Sequence, residues 1–213
     1  MASFKDLLNP SPKPQQTKVD KDEAKKSLAD YTTQQRGTGK SARVGIKFEN
    51  EIARTCDIYE SRGLAYIQKF TPPTVFVPPK NGKKGFMMYS KKTGFDFVGA
   101  YLISDPIHDF WQPIFIETKT TEPGNIPVGN DKTGIKDHQL TKMLQLQKLG
   151  LECFFVWKIR SAGVIFKFTP NQLIDAIGTK KSLSLLDCDE NHFEKVIPIT
   201  IEGESYYDIL GLL

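Results

Sequence analysis

The sequence predicts an α/β protein in which helices pack on a β-sheet, and three observations lead to that fold class. Runs of aromatic and β-branched residues, each of strand length, recur along the chain. Two other stretches carry apolar residues at helical spacing, one before and one after the central strand-like runs. The length of 213 residues is enough for one domain with a buried core plus additional segments.

The first 43 residues differ in composition from the rest of the chain. They contain nine basic and five acidic side chains, and this surplus of four equals the net charge of the whole chain, +4. We therefore expect a flexible basic arm over residues 1–43 and a folded domain over residues 44–213. The arm has two interpretations, a solubilising tail or a non-specific phosphate-binding segment that includes Lys40 and Arg43.

The first predicted helix covers residues 44–61 and ends before Gly63. On a helical wheel Glu49 lies at the edge of its apolar face, whereas Glu51 points well away from that face. A carboxylate beside a buried face needs a partner, and a metal ion is one such partner. We therefore expect Glu49 to be a third acidic ligand and Glu51 to be solvated. The apolar face consists of Phe48, Ile52, Cys56 and Tyr59.

A strand over residues 64–70 is followed by an excursion over residues 71–95 whose charge is unusual. The excursion contains five lysines and no acidic residue, and an Asn81-Gly82 turn lies within it. Its bulky cluster, Phe86-Met87-Met88-Tyr89, has two interpretations: it packs in the core, or it forms the tip of a projecting basic element that enters nucleic acid. The five lysines are Lys80, Lys83, Lys84, Lys91 and Lys92.

Two strand-like runs carry charges that a buried strand usually avoids. The first contains Asp96, and the second delivers Glu117 and Lys119 two residues apart. Side chains alternate along a strand, so Glu117 and Lys119 share one face and Thr118 points away. Two carboxylates suit a hard cation such as Mg²⁺, with Mn²⁺ as a substitute, and a lysine can activate a water beside it. The alternative interpretation is a surface salt bridge between Glu117 and Lys119, because that would have the same Glu-x-Lys spacing.

The remaining elements surround this pair of strands. Residues 104–112 are predicted to be a turn, and a helix is predicted over residues 135–149. Gln139 emerges at the rim of its apolar face, where an amide can hold a phosphate or the attacking water, or can cap a loop. His138 is turned further out.

Two more apolar strands are predicted over residues 151–159 and 164–168. A last clear helix opens at Thr169-Pro170, with Thr169 as its N-cap. The pattern fades after Ile177.

Cysteine usage and hydropathy indicate a cytoplasmic protein. The three cysteines are odd in number and widely spaced, which predicts buried reduced thiols. No apolar run is long enough to span a bilayer, and the first residues lack the apolar segment of a signal peptide. We therefore expect no membrane association.

The order of these elements and six short motifs resemble the RecU family of Holliday junction resolvases, in the PD-(D/E)xK nuclease superfamily. The resemblance covers about residues 45–173 and is more specific than Glu-x-Lys alone. The motifs are Gly45-x-x-Phe48-Glu49, Gly63-x-Ala65, Lys69-x-Thr71-Pro72, Asp96-Phe97-Val98-Gly99-x-Tyr101, Phe115-x-Glu117-x-Lys119 and His138-Gln139.

The resemblance implies a restriction-endonuclease-like fold with a mixed central sheet, and a projecting basic hairpin, the stalk, over about residues 71–95. It implies a homodimer whose two active sites nick opposed strands of a four-way DNA junction, with no small-molecule cofactor. It also implies that Gln139 matches the glutamine of the family's later helix. One departure stands out, because the family has a threonine two residues before its aspartate and this chain has Gly94.

The expected mechanism is metal-assisted phosphodiester hydrolysis. Asp96, Glu117, the Thr118 carbonyl and Glu49 are expected to hold Mg²⁺, while Lys119 orients or deprotonates water. The alternatives are a nicking or restriction-type endonuclease acting on duplex DNA, or a junction-binding protein without activity. The residues expected to contact DNA are Gln139, His138, Lys40, Arg43, Lys83, Lys84, Phe86, Tyr89, Lys91 and Lys92.

Overall fold

The computed structural model describes residues 39–78, 86–89, 93–105, 107–129 and 133–213. Among these residues the helices are α1 (Gly39–Ser61), α2 (Asp137–Lys148), α3 (Pro170–Ile177) and α4 (Leu185–Glu190). The strands are β1 (Ala65–Lys69), β2 (Thr74–Val77), β3 (Phe86–Tyr89), β4 (Phe97–Ser104), β5 (Asp109–Thr121), β6 (Asn125–Pro127), β7 (Glu152–Ile159), β8 (Val164–Phe168), β9 (Ser182–Ser184), β10 (Glu194–Lys195), β11 (Pro198–Ile201) and β12 (Glu204–Tyr207). Arg43–Leu213 form a compact unit.

A six-stranded sheet with the order β1-β4-β5-β7-β8-β10 forms the centre of this unit. Strands β5 and β7 pair in parallel, and the other neighbouring pairs are antiparallel. The sheet is therefore mixed, and helices flank it, which confirms the predicted fold class. Strand β5 is 13 residues long and is central, so its side chains reach both layers of the protein.

Helices cover the two faces of the sheet, and alternation along β5 divides its side chains between them. Ile114 and Ile116 pack with α1 in one hydrophobic cluster, whose α1 members are the four residues of the predicted apolar face. Phe115 packs with the second cluster, to which α2 and α3 contribute. Glu117 and Lys119 continue the Phe115 row, so β5 carries both charges towards the α2 layer.

Two predicted boundaries differ from those observed. Helix α1 begins at Gly39 rather than at residue 44. Residues 104–112 are not one turn, because β4 extends to Ser104 and β5 begins at Asp109, with Leu102 paired to Trp111. Aromatic residues favour β-strands, so the β4–β5 hairpin continues beyond its most apolar residues.

The C-terminal region, where the sequence pattern faded, consists of short paired elements. Strand β9 pairs with β6, β10 extends the edge of the central sheet, and β11 forms a hairpin with β12. Ser184 caps α4 by accepting the Asp187 N–H at 3.2 Å. Val196 and Ile209 then pack on the α1 side of the sheet. Strands of two to four residues are too short to produce a clear periodicity.

Strands β2 and β3 form an antiparallel pair that is separate from the central sheet. The five lysines of this excursion lie outside the described residues, and so do the side chains of Phe86 and Tyr89. Four of these lysines are predicted DNA contacts, namely Lys83, Lys84, Lys91 and Lys92. The projecting basic stalk therefore stays a prediction.

The cysteines and helices agree with the expectations from composition. Cys56, Cys153 and Cys188 are buried and free, and burial raises the pKa of each thiol to about 12. No helix within the described part of the chain is long and apolar enough to cross a membrane.

Candidate active site

Backbone hydrogen bonds fix Asp96 at the beginning of β4. Its N–H donates to the Ile116 carbonyl at 2.8 Å, and its own carbonyl accepts the Phe70 N–H at 2.7 Å. Asp96 is therefore held between the end of β1 and the middle of β5. The sheet register brings Asp96 close to Glu117, 21 residues later in the sequence, because Phe97 pairs with Ile116.

The Asp96 carboxylate is oriented by Thr118. Oδ2 of Asp96 accepts the Thr118 N–H at 2.9 Å and the Thr118 hydroxyl at 2.7 Å. Thr118 was predicted to contribute its carbonyl to a metal site, and the structure gives its amide and hydroxyl a second task, which is to hold the aspartate. Hydrogen bonds to an ionised carboxylate are among the stronger ones, so this orientation is well fixed.

Glu117 is buried, with 1% of its surface exposed, and two side chains donate to its Oε1. They are the Lys119 ammonium and the Gln139 amide. The Gln139 side chain is itself oriented, because its Oε1 accepts the Lys136 N–H at 3.1 Å. Helix α2 therefore reaches the acidic strand through Gln139, which was predicted at the rim of the buried face.

Burial raises the pKa of the Glu117 carboxyl to about 7. The Lys119 ammonium opposes this rise, while the negative charges of Asp96 and Glu49 add to it. Negative charge at Glu117 is thus costly in the protein alone, although one lysine compensates part of it. A cation placed between the acids would remove that cost.

Glu49 lies near the same acids but has a lysine partner. Its Oε2 is 2.5 Å from Nζ of Lys69 on β1, and a quarter of its side-chain surface is exposed. Within the described ranges no group of three or more His, Cys, Asp or Glu side chains is arranged to hold a metal ion. The ion pair holds the Glu49 carboxylate beside Lys69. Glu49 as a third ligand stays a prediction.

Glu51 was predicted to be solvated, and this was wrong. Its carboxylate lies 2.7 Å from Nζ of Lys158 on β7, and only 18% of its side chain is exposed. The same ammonium donates to the Tyr207 hydroxyl at 2.9 Å and lies over the rings of Phe48 and Tyr207. The partners come from β7 and β12, which the helical wheel of α1 cannot reveal.

The two glutamates of α1 give a matched pair of substitutions. Glu49→Gln is expected to lower the cleavage rate at least about tenfold, because it removes the third carboxylate that is expected to hold the cation. Glu51→Gln is expected to keep activity but to lower the free energy of unfolding by about 1.5–3 kcal/mol, since Lys158 loses its charged partner. Cleavage kinetics and urea unfolding measure both effects. Equal effects of the two substitutions on activity would contradict the assignment of Glu49.

The other predicted contact residues are not gathered at the acids. His138 lines a pocket beside them, and Arg43 is exposed. The side chain of Lys40 lies outside the described residues. The sequence motifs did not indicate that Lys69 pairs with Glu49, although Lys69 itself belongs to the motif Lys69-x-Thr71-Pro72.

A comparison with protein families identifies the family of the chain. The model of the family described as Recombination protein U matches residues 43–209, more than half of the chain. The chain belongs to the Recombination protein U family. This family consists of nucleases that resolve Holliday junctions in recombination, and the match confirms the resemblance to RecU resolvases. No curated protein matches the chain.

The RecU match includes every acid of the candidate site as well as Lys119 and Gln139. It supports assignment to the endonucleases, and resolvases of this class typically need a divalent metal. The family match and the candidate site therefore lie in the same part of the chain. Residues 1–42 lie outside the match.

Proposed function

We propose that the protein is a Mg²⁺-dependent endonuclease that resolves four-way DNA junctions by paired nicks in recombination and repair. The observation that carries the proposal is the buried Glu117 carboxylate, which Lys119 and Gln139 hold beside Asp96 in a RecU chain. A buried acid with a raised pKa next to a lysine and a second acid is typical of a catalytic centre.

The residues present fit a hard divalent cation. Asp96, Glu117 and the Thr118 carbonyl offer the oxygen ligands that Mg²⁺ prefers, and Mn²⁺ accepts the same ligands. Glu49 would join them directly or through a water. When bound, the cation would stabilise the negative charge that develops on the scissile phosphate.

The remaining steps belong to side chains of this chain. Lys119 has 17% of its side chain exposed, so its ammonium can contact a water that approaches the phosphate. As an ammonium Lys119 orients that water, and only in its neutral amine form would it take a proton from it. Gln139 fixes the Glu117 carboxylate from α2, and Thr118 fixes Asp96, so the two acids keep their positions during the reaction.

We also propose a homodimer, since paired nicks on opposed strands need two active sites. One apolar area of the sheet supports this. Tyr66 and Trp111 are 50% and 52% exposed, and the register of β1, β4 and β5 puts both on the same face. Exposed aromatic residues that cluster on a sheet face are typical of a contact with another protein chain.

We propose a cytoplasmic location. The basic arm over residues 1–43 is proposed to bind DNA phosphates in junction and duplex DNA alike. Deletion of residues 2–38 is expected to weaken binding to junction and duplex DNA alike and to flatten the dependence of affinity on salt. The reason is that fewer counterions are released when Lys and Arg contacts are lost. Fluorescence anisotropy at several salt concentrations measures this, and an unchanged salt slope would identify the arm as a solubilising tail.

Metal binding can be measured without activity. Mg²⁺ at ten times its dissociation constant stabilises the folded state by about 1.4 kcal/mol, which raises Tm by roughly 3–6 °C. We expect this rise in the wild-type protein and not in Asp96→Asn. Asp189→Asn, on an exposed pair with Lys195, is the matched control and is expected to keep the rise. A full rise in Asp96→Asn would exclude Asp96 as a ligand.

The proposed activity is tested by incubating the full-length protein with a four-way junction and with linear duplex, each with and without Mg²⁺. Cleavage of the junction in Mg²⁺, with little cleavage of duplex, is the expected result. Equal cleavage of both substrates would favour a nicking or restriction-type endonuclease. Junction binding without cleavage in Mg²⁺ or Mn²⁺ would indicate a non-catalytic binding protein.

A further inference from the structure

A pocket of about 660 Å³ opens beside the acids, between α2 and the chain that leads into β4. This volume is within the range of small-molecule sites in proteins. On the strand side it is lined by Phe70, Gly94 and Phe95. On the helix side it is lined by residues that include His138, Thr141 and Lys142. None of these residues has a task in the chemistry proposed above.

The pocket and the acid pair share their walls. Gly94 and Phe95 directly precede Asp96, and the Phe70 N–H donates to the Asp96 carbonyl at 2.7 Å. On the helix, His138 directly precedes Gln139, whose amide donates to Glu117. A substrate group that occupies the pocket is therefore expected to lie close to the phosphate that binds at the acids.

The chemistry of the walls is suited to a flat aromatic group that carries a phosphate. The rings of Phe70 and Phe95 form an edge-to-face pair with centroids 5.0 Å apart, which gives the strand side a broad apolar surface. Thr141 on the opposite side offers a hydrogen-bonding group, and Lys142 offers an ammonium. Nucleobases stack on aromatic side chains, while their phosphates pair with lysine.

The absence of a side chain at Gly94 lets α2 approach the strand. An ideal Cβ at this position would lie 2.5 Å from Cβ of Lys142, which is far closer than two such atoms can come. Any larger residue at position 94 would push the helix away and would change the pocket. The departure of this chain from the family pattern at Gly94 therefore coincides with one wall of the pocket.

We propose that this pocket receives an unstacked nucleobase of the cut strand, next to the scissile phosphate. The inference rests on the proposed function and deepens it, because it adds a base contact to the chemistry at the phosphate. At the centre of an opened four-way junction each base pair lacks one stacking neighbour, so moving one of its bases into a pocket costs less than it does in duplex DNA. Lys142 would then meet a phosphate of the same nucleotide.

The test uses 2-aminopurine, whose fluorescence rises when it leaves a base stack. It is placed in turn at each of the two nucleotides on either side of the nick in a four-way junction, with Ca²⁺ in place of Mg²⁺. At one position the wild-type protein is expected to raise fluorescence at least about threefold. Thr141→Trp fills the pocket and is expected to abolish the rise. Ile174→Trp adds the same bulk to an exposed site on α3 and is expected to retain it.

A second measurement changes the DNA and uses the wild-type protein, so it does not depend on whether Thr141→Trp folds. An abasic nucleotide at the responding position is expected to weaken junction binding by the wild-type protein about fivefold and by Thr141→Trp much less. Unchanged fluorescence at all four positions, with the junction bound, would overturn the base pocket and leave the proposed function intact. An equal rise in Thr141→Trp would also overturn it. Equal binding of junction and duplex, measured by anisotropy, would overturn both proposals.

Discussion

Glu117→Gln is expected to reduce junction cleavage roughly a thousandfold or more, and Lys119→Ala is expected to have a similar effect. The first substitution removes the buried charge that a cation needs, and the second removes the ammonium that contacts Glu117 and the attacking water. Single-turnover cleavage of a labelled four-way junction in Mg²⁺ measures both rates. Neither side chain is expected to contribute much to DNA affinity, because both act in the transition state.

The matched control for this prediction is Glu122→Gln. Glu122 follows β5 closely but is 61% exposed and pairs with Arg160, so its substitution should leave the rate within about twofold. Junction binding in Ca²⁺ should be similar for all three variants. A cleavage rate near that of the wild-type protein in Glu117→Gln would remove the basis of the active-site assignment.

Replacement of residues 81–89 by a short Gly-Ser turn is expected to lower junction affinity at least about tenfold, or 1.4 kcal/mol. Binding to linear duplex should change much less. The lysines of the excursion would meet the phosphates that several strands concentrate at a junction centre, and Phe86 or Tyr89 would stack on exposed bases. Strands β2 and β3 form a sheet of their own, so the six-stranded sheet should remain after the replacement.

The control for the excursion is a replacement of the exposed turn at residues 161–163 by Gly-Ser-Gly. This turn joins β7 to β8 and lies outside the proposed stalk. Its replacement should leave both affinities unchanged. Equal losses on junction and duplex in the residue 81–89 variant, or its unfolding, would assign the Phe86–Tyr89 segment to the core.

The positions of Asp96, Glu117 and Lys119 could be predicted from the sequence because their signals are local. A charge within an apolar strand is conspicuous, and alternation settles which side chains share a face. The same reasoning placed Gln139 at the rim of α2. It could not name Glu117 as its partner, since that contact depends on how close α2 packs to β5.

Ion-pair partners were the weakest part of the prediction. Lys69 beside Glu49 and Lys158 beside Glu51 both come from strands that pack on α1. A helical wheel gives the direction of a side chain but not the groups that it meets. For Glu51 that gap produced a wrong prediction, because β12 and its Tyr207 lie in the C-terminal region where the periodicity had faded.

Two copies of this acid and lysine site are expected to cut opposed strands of one junction. Cleavage of a supercoiled plasmid that carries an extruded cruciform tests it most directly. Two cuts within one binding event convert the plasmid to linear DNA, whereas independent single cuts first accumulate nicked circles. In Mg²⁺ the wild-type protein is expected to give linear product from the earliest times, with the cuts at the cruciform. Nicked circles that accumulate first, or cuts away from the cruciform, would contradict paired cutting of one junction by two active sites.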